Sequence, residues 1–173
     1  STNHQDNHEY NRGRYIGVTD KDKQKFFVDV YENTKRVLNN YGLKTFFSCE
    51  VWVKSEQHSE FIIYGITPEI FLKYDFLFRY TQEELFEICK TENMFMYKTH
   101  PFRVNEYAGD PKYMHGAEYF NGHYHHENNN HLAREFCEKN NLVKLSGSDF
   151  HHANQPITGG IYIADDINNE FEL

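Results

Sequence analysis

The chain has 173 residues and a formal charge of −8 at pH 7. That is long enough for one domain with its own core, and too acidic for broad electrostatic wrapping of nucleic acid, although a local basic pocket for a single phosphate group is compatible with it. No apolar run is long enough to span a bilayer, no signal-peptide pattern or internal repeat is present, and Cys49, Cys89 and Cys137 are odd in number and far apart, which points to reduced thiols in a cytoplasmic protein.

Taken in order, Ser1-Thr2-Asn3-His4 opens without Met and leads into the polar stretch Gln5-Asp6-Asn7-His8-Glu9, so the sequence reads as an internal fragment of something longer. After Thr19-Asp20, the residues Phe27, Val30, Tyr31, Thr34, Val37, Leu38 and Tyr41 fall at helical spacing, with Gly42 as the stop, and predict an amphipathic helix packed on a sheet. Lys44 to Val53 then reads as a buried strand interrupted only by Glu50. A carboxylate there demands a salt-bridge partner or a cation. A second strand follows from Glu60 to Gly65, with Glu60 at its entrance.

Thr67-Pro68-Glu69 and Thr81-Gln82-Glu83-Glu84 are helix starts, the second in capping-box form. Met94 to Thr99 is strand-like and ends directly on His100-Pro101-Phe102-Arg103. The stiffened turn suits His100 as a metal ligand, and Arg103 offers a planar fork to a phosphate. Ala117 to Phe120 predicts a strand ending at Asn121-Gly122, and a polar loop rich in histidine (His123, His125, His126) precedes a helix carrying Leu132, Ala133, Phe136 and Cys137. Leu142 to Leu145 is a short strand that empties through Gly147 into Asp149 and His151, a carboxylate and an imidazole suited to Zn, Mn or Fe. Gly159 to Ile163 reads as a last strand ahead of a loosely held acidic tail. Candidate ligands thus stand at or after successive strands, the placement an α/β barrel uses to bring distant residues to one mouth.

These residues resemble the PHP (polymerase and histidinol phosphatase) domain family of metal-dependent phosphoesterases. Thr2-Asn3-His4 is similar to the family's TDH motif, Ser48-Cys49-Glu50 to its GxE, His100-Pro101 to its HP, and Gly147-Ser148-Asp149-Phe150-His151 to its GSDxH, in family order over nearly the whole chain. The resemblance implies a single domain over residues 1–173, a distorted (β/α)7 TIM-like barrel, here without the first strand and its HxH motif. It also implies a centre of two or three Zn, Mn or Fe ions that hydrolyses a phosphoester. Carried over by position, Glu50 would bridge two ions, Asp149 would hold the first, His100 the second, and His4 and His151 the third. Glu60 falls where the family often has a His completing the second.

Arg103 is the candidate catalytic contact to a phosphate oxygen, with His123 to His126 and Asp6 to Glu9 as lips of the pocket. Asn3 stands where the motif has Asp, and His123-Tyr124-His125 spells HxH in the wrong place. The expected partner is a small phosphorylated substrate rather than nucleic acid or membrane, and an open barrel edge would favour a homo-oligomer. Two alternatives are an inactive metal-binding or structural module and an amidohydrolase-type metal hydrolase.

Overall fold

In the computed structural model, which describes the backbone of Asn3–Gln5 and all of residues 19–173, six strands lie side by side in chain order. They are β1 (Asn3–Gln5), β2 (Cys49–Trp52), β3 (Glu60–Tyr64), β4 (Phe95–Lys98), β5 (Gly116–Asn121) and β6 (Val143–Gly147). The α-helices among the described residues are α1 (Asp20–Asn39), α2 (Pro68–Lys73), α3 (Gln82–Thr91) and α4 (Asn130–Lys139). None of them is long and apolar enough to cross a membrane.

The expected barrel does not form. β3 runs antiparallel to both β2 and β4, so parallel pairing is confined to β1 with β2 and to β4, β5 and β6, and the sheet stays open with β1 and β6 at opposite ends. Closure into a (β/α)7 barrel needs a repeated strand–helix–strand unit with a constant direction and stagger. Here the β2–β3 hairpin breaks that repeat. The same reversal has a functional consequence: it brings the first residue of β3, Glu60, to the sheet edge where β2 and β4 end, since Trp52 pairs with Glu60 and Phe61 with Lys98.

Strand periodicity divides the sheet into two faces. Cys49, Val51 and Val53, Phe61 and Ile63, Met96, and Ala117 are buried on one face, against Tyr31 of α1, Phe71 of α2, Leu85 and Cys89 of α3, and Cys137 of α4. The alternate residues Glu50, Ile62, Tyr64, Glu118 and Leu145 line a cleft on the other. Lys98 falls on the dry face and is fully buried. Its Nζ donates to the carbonyls of Glu60 (3.1 Å) and Thr99 (2.8 Å) and pairs with Glu106 Oε2 at 3.0 Å.

Local signals act as their chemistry dictates. Thr19 and Thr81 each close a reciprocal capping box, with Asp22 and Glu84. Two expectations fail. Along α1 only Tyr31 of the predicted stripe is buried, and Val37 is exposed, because the helix docks through its N-terminal half, where Gln24 Nε2 donates to the carbonyls of Phe71 and Tyr74. Gly159 to Ile163 is not a strand. Gly159 abuts the Gly147 main chain, but beyond it Ile161, Tyr162 and Ile163 leave the sheet and are exposed. The acidic tail is held rather than loose: Glu170 Oε1 accepts from Tyr31 Oη and Phe47 N, both at 3.0 Å, and Lys44 Nζ donates to the carbonyls of Asp165 and Ile167.

Gly116 marks the tightest point of the sheet. A Cβ there would lie 2.3 Å from the Val143 carbonyl oxygen and 2.6 Å from the Tyr97 ring, whereas one at Gly160 would meet nothing within 4 Å. We expect Gly116→Ala to destabilise the protein by about 2–3 kcal/mol through forced spreading of β4, β5 and β6, and Gly160→Ala to change stability by less than about 0.5 kcal/mol, both read by urea unfolding. Equal effects from the two substitutions would contradict this packing.

Candidate metal centre

Three acidic and imidazole side chains meet where β2, β3 and β4 share an edge. His100 Nε2 lies 3.5 Å from Glu50 Oε1 and 3.3 Å from Glu60 Oε2, and one ligand atom from each of the three residues falls within 4.8 Å of the others. Two ligands about 2.1 Å from a common tetrahedral ion stand about 3.4 Å apart, so both nitrogen–oxygen separations fit a shared cation. The donor set, two carboxylates and one imidazole, suits Zn, Mn or Fe.

The position of His100 is enforced from several sides. Among the described residues, six non-glycine residues have positive φ. Four are asparagines, and the other two are His100 at 28° and Asp149 at 48°. Such backbone is sparsely populated for these residue types and persists only where the surroundings hold it. For His100 the hold is Glu118, whose Oε2 accepts from His100 N at 2.7 Å and from Asn121 Nδ2 at 2.9 Å. The His100 ring is 3 % exposed, and its Nδ1 has no hydrogen-bond partner among the described residues; the nearest acidic oxygen is Glu106 Oε1 at 3.8 Å.

Charge follows from this placement. Burial pulls the His100 pKa down, but the flanking carboxylates of Glu50 and Glu60 outweigh it and push the pKa up to about 9. Glu60 is the converse: burial raises it, and the imidazoles of His100 and His58 hold it far below the carboxylate range. The imidazolium proton of His100 therefore occupies, electrostatically, the place a cation would take. Burial raises the pKa of Glu118.

Glu50, His100, Glu118, Asn121, Asp149 and His151 share one cleft of about 320 Å³. Asp149 and His151 are thus brought to the same cavity, but Asp149 is already engaged: its Oδ2 accepts from Arg103 Nη2 and from Asn121 Nδ2. That guanidinium overcomes the effect of burial and keeps the Asp149 carboxyl below its usual range. His151 is half exposed, its Nδ1 3.2 Å from Asp149 Oδ1. His4 pairs with Glu50 through the β1–β2 backbone register, and its side chain lies outside the described residues, as does the expected lip Asp6 to Glu9.

Arg103 is not among the lining residues of the cleft; its Nε donates to Asn128 Oδ1 at 2.9 Å and its Nη2 to Asn121 Oδ1 at 3.2 Å, so the fork expected to face a phosphate braces the Asp149 wall instead. His123 and His126 sit near the mouth, the His123 ring 5.7 Å from that of His151, and burial lowers the pKa of both.

Four residues here are not singled out by the sequence reading: His58, Lys98, Glu106 and Glu118. Lys98 and Glu118 carry the signal that identified Glu50, an ionisable residue inside an apolar strand, which requires a counter-charge nearby. Glu106 and His58 lie in loops whose pattern says nothing of burial. Compared with family models, curated proteins and solved structures, the chain matches none.

A cation and a proton compete for His100 Nε2, which fixes the sign of the pH dependence. Because the folded pKa is raised to about 9, a cation must displace a proton at neutral pH, and apparent affinity should rise up to about tenfold per pH unit until it levels near pH 9. In the cation-free protein, the stability His100 contributes is fully present below its unfolded pKa of about 6.5 and lost as pH rises through about 9. Titration calorimetry with Mn²⁺ at pH 7 in buffers of different ionisation enthalpy should show about one proton released per ion. Binding without proton release would contradict the assignment of His100.

Proposed function

We propose that the chain is a metal-dependent phosphoric ester hydrolase of the PHP type, acting on a small phosphoester. The observation that carries the reading is the meeting of Glu50, Glu60 and His100, from β2, the start of β3 and the turn after β4, beside a cleft that Glu50 and His100 line together with Asp149 and His151. Glu50, Glu60 and His100 would hold one divalent ion, and Asp149 and His151, with His4, are the candidates for further ions. A bound divalent ion in such a site polarises a phosphoryl oxygen and lowers the pKa of a water molecule.

The chain's own residues do the rest. Glu118 fixes the His100 main chain, so the imidazole does not swing as charge in the cleft changes. Arg103 holds Asp149 in place and puts a fixed positive charge behind the wall a phosphate dianion would approach. The cleft's volume, at the small end of ligand pockets, together with the net negative charge, favours a small phosphoester over a polymer. The three cysteines are unpaired and buried, which supports a cytoplasmic location.

A second reading, a cation-binding module without hydrolysis, is favoured by one observation: Asp149 is already neutralised by Arg103, so the Glu50–Glu60–His100 site can fill while the second stays closed. Elemental analysis of the chain purified without chelators, paired with turnover of 4-nitrophenyl phosphate, separates the two. The enzyme reading expects bound transition metal and turnover, with both lost in His100→Ala and kcat/KM reduced at least about a hundredfold. Metal without turnover on any phosphoester tried supports the module, and a chain that takes up no metal contradicts both. Arg103→Ala should keep the metal of the first site and lower kcat/KM by about tenfold or more, the worth of one charge-assisted contact; unchanged kcat/KM would remove Arg103 from the mechanism.

A further inference from the structure

Outside the three residues of the candidate centre, a second group of titratable side chains closes on it from behind. His58, in the loop between β2 and β3, presents Nε2 to Glu60 Oε1 at 3.4 Å and Nδ1 to Glu106 Oε1 at 2.6 Å. Glu60 turns its other oxygen to His100 Nε2, and Glu106 Oε1 is the acidic oxygen nearest His100 Nδ1. The four side chains therefore form a closed ring, His58, Glu60, His100, Glu106, in which each imidazole faces both carboxylates. Two members, Glu60 and His100, belong to the candidate centre. The other two, His58 and Glu106, touch those members without being ligands of that centre themselves.

We propose that His58 and Glu106 are positioning residues of the metal centre, orienting Glu60 and His100 for a divalent cation; this rests on the metal-dependent reading above. The reason lies in the two orphaned requirements of the inner pair. A metal-binding imidazole is oriented by what its second nitrogen donates to, commonly a carboxylate, and loss of that partner costs about 10- to 100-fold in metal affinity. His100 Nδ1 is buried and unpartnered among the described residues, and it sits about 1 Å beyond the ordinary N–H···O reach of about 2.9 Å from Glu106. Glu106 is itself anchored: its Oε2 pairs with the buried Lys98 ammonium at 3.0 Å, and its side chain is 2 % exposed. On the other side, His58 occupies the Glu60 oxygen turned away from His100, leaving the second oxygen facing His100 Nε2. The Trp52 ring, edge-on at 4.1 Å between centroids, backs the His58 imidazole.

The cation stays with Glu50, Glu60 and His100; Lys98 already supplies the positive charge Glu106 needs, so no second ion is placed in the outer group. His58 is the member that reaches solvent, its side chain 34 % exposed, and can be changed with little cost to the core.

The test is a double-mutant cycle read as Mn²⁺ and Zn²⁺ affinity by titration calorimetry, with His58→Gln, Glu106→Gln and the pair together, each checked for native circular dichroism. The inference expects each single change to weaken Kd about 10- to 100-fold, and the double variant to be little weaker than the worse single, because both act through one ring. If Glu106→Gln strands the Lys98 charge and does not fold, Lys98→Met/Glu106→Gln, which removes the buried charge with its partner, takes its place. Folded variants whose Kd stays within twofold of the native chain, or a strictly additive cycle, would overturn the positioning role while leaving the metal centre standing. A native chain that binds neither ion would overturn both.

Discussion

Two carboxylates on adjacent strands cannot be buried side by side without positive charge between them, and the buried imidazole of His100 supplies that charge. Much of the site depends on this arrangement. The positive φ of His100, the backbone N–H given to Glu118, and the buried Lys98–Glu106 pair all serve to keep one ring between Glu50 and Glu60. An imidazolium fills this role when no cation is present, and a divalent ion would fill it better, since it satisfies both carboxylates and the nitrogen together.

The open sheet makes the arrangement possible in a way a barrel would not. With β3 reversed, the start of one strand meets the ends of its two neighbours, so Glu60 reaches the site from the opposite chain direction to Glu50 and His100. The dry face takes the load of stability through its aromatic and aliphatic residues against the helices. The opposite face is thereby released from packing and carries Glu50, Glu60 and Glu118. Lys98 is the exception that links the two faces: it lies on the dry side, yet its counter-ion Glu106 turns the other way toward the imidazoles of His58 and His100.

How much of this was legible in the sequence differs by residue. Glu50 announced itself because a carboxylate in an apolar strand requires an explanation, and His100 because a His-Pro step at a strand end is stiff. Glu60 was offered as a ligand only through the family resemblance: it begins its strand, so reading strand ends as a common rim left it out, and the rim itself belongs to an open sheet rather than to a barrel. The closed fold was misread although the direction of β3 was signalled: the short stretch between Val53 and Glu60 carries no helix and is too short for the crossover a parallel pair needs, and a reading that looked for alternating strands and helices passed over it. Arg103 was read from its fork alone, whereas its orientation depends on Asn121, Asn128 and Asp149, which lie 18 to 46 residues away. The contributions of Glu106 and His58 come from loops, where burial is a property of the assembled structure.

The most direct measurement is anomalous X-ray diffraction from crystals of the chain soaked in Mn²⁺ or Zn²⁺. The account predicts that the strongest anomalous peak lies between the carboxylates of Glu50 and Glu60 and Nε2 of His100. Crystals showing bound ions only elsewhere, with His100 still ion-paired with both carboxylates, would contradict it.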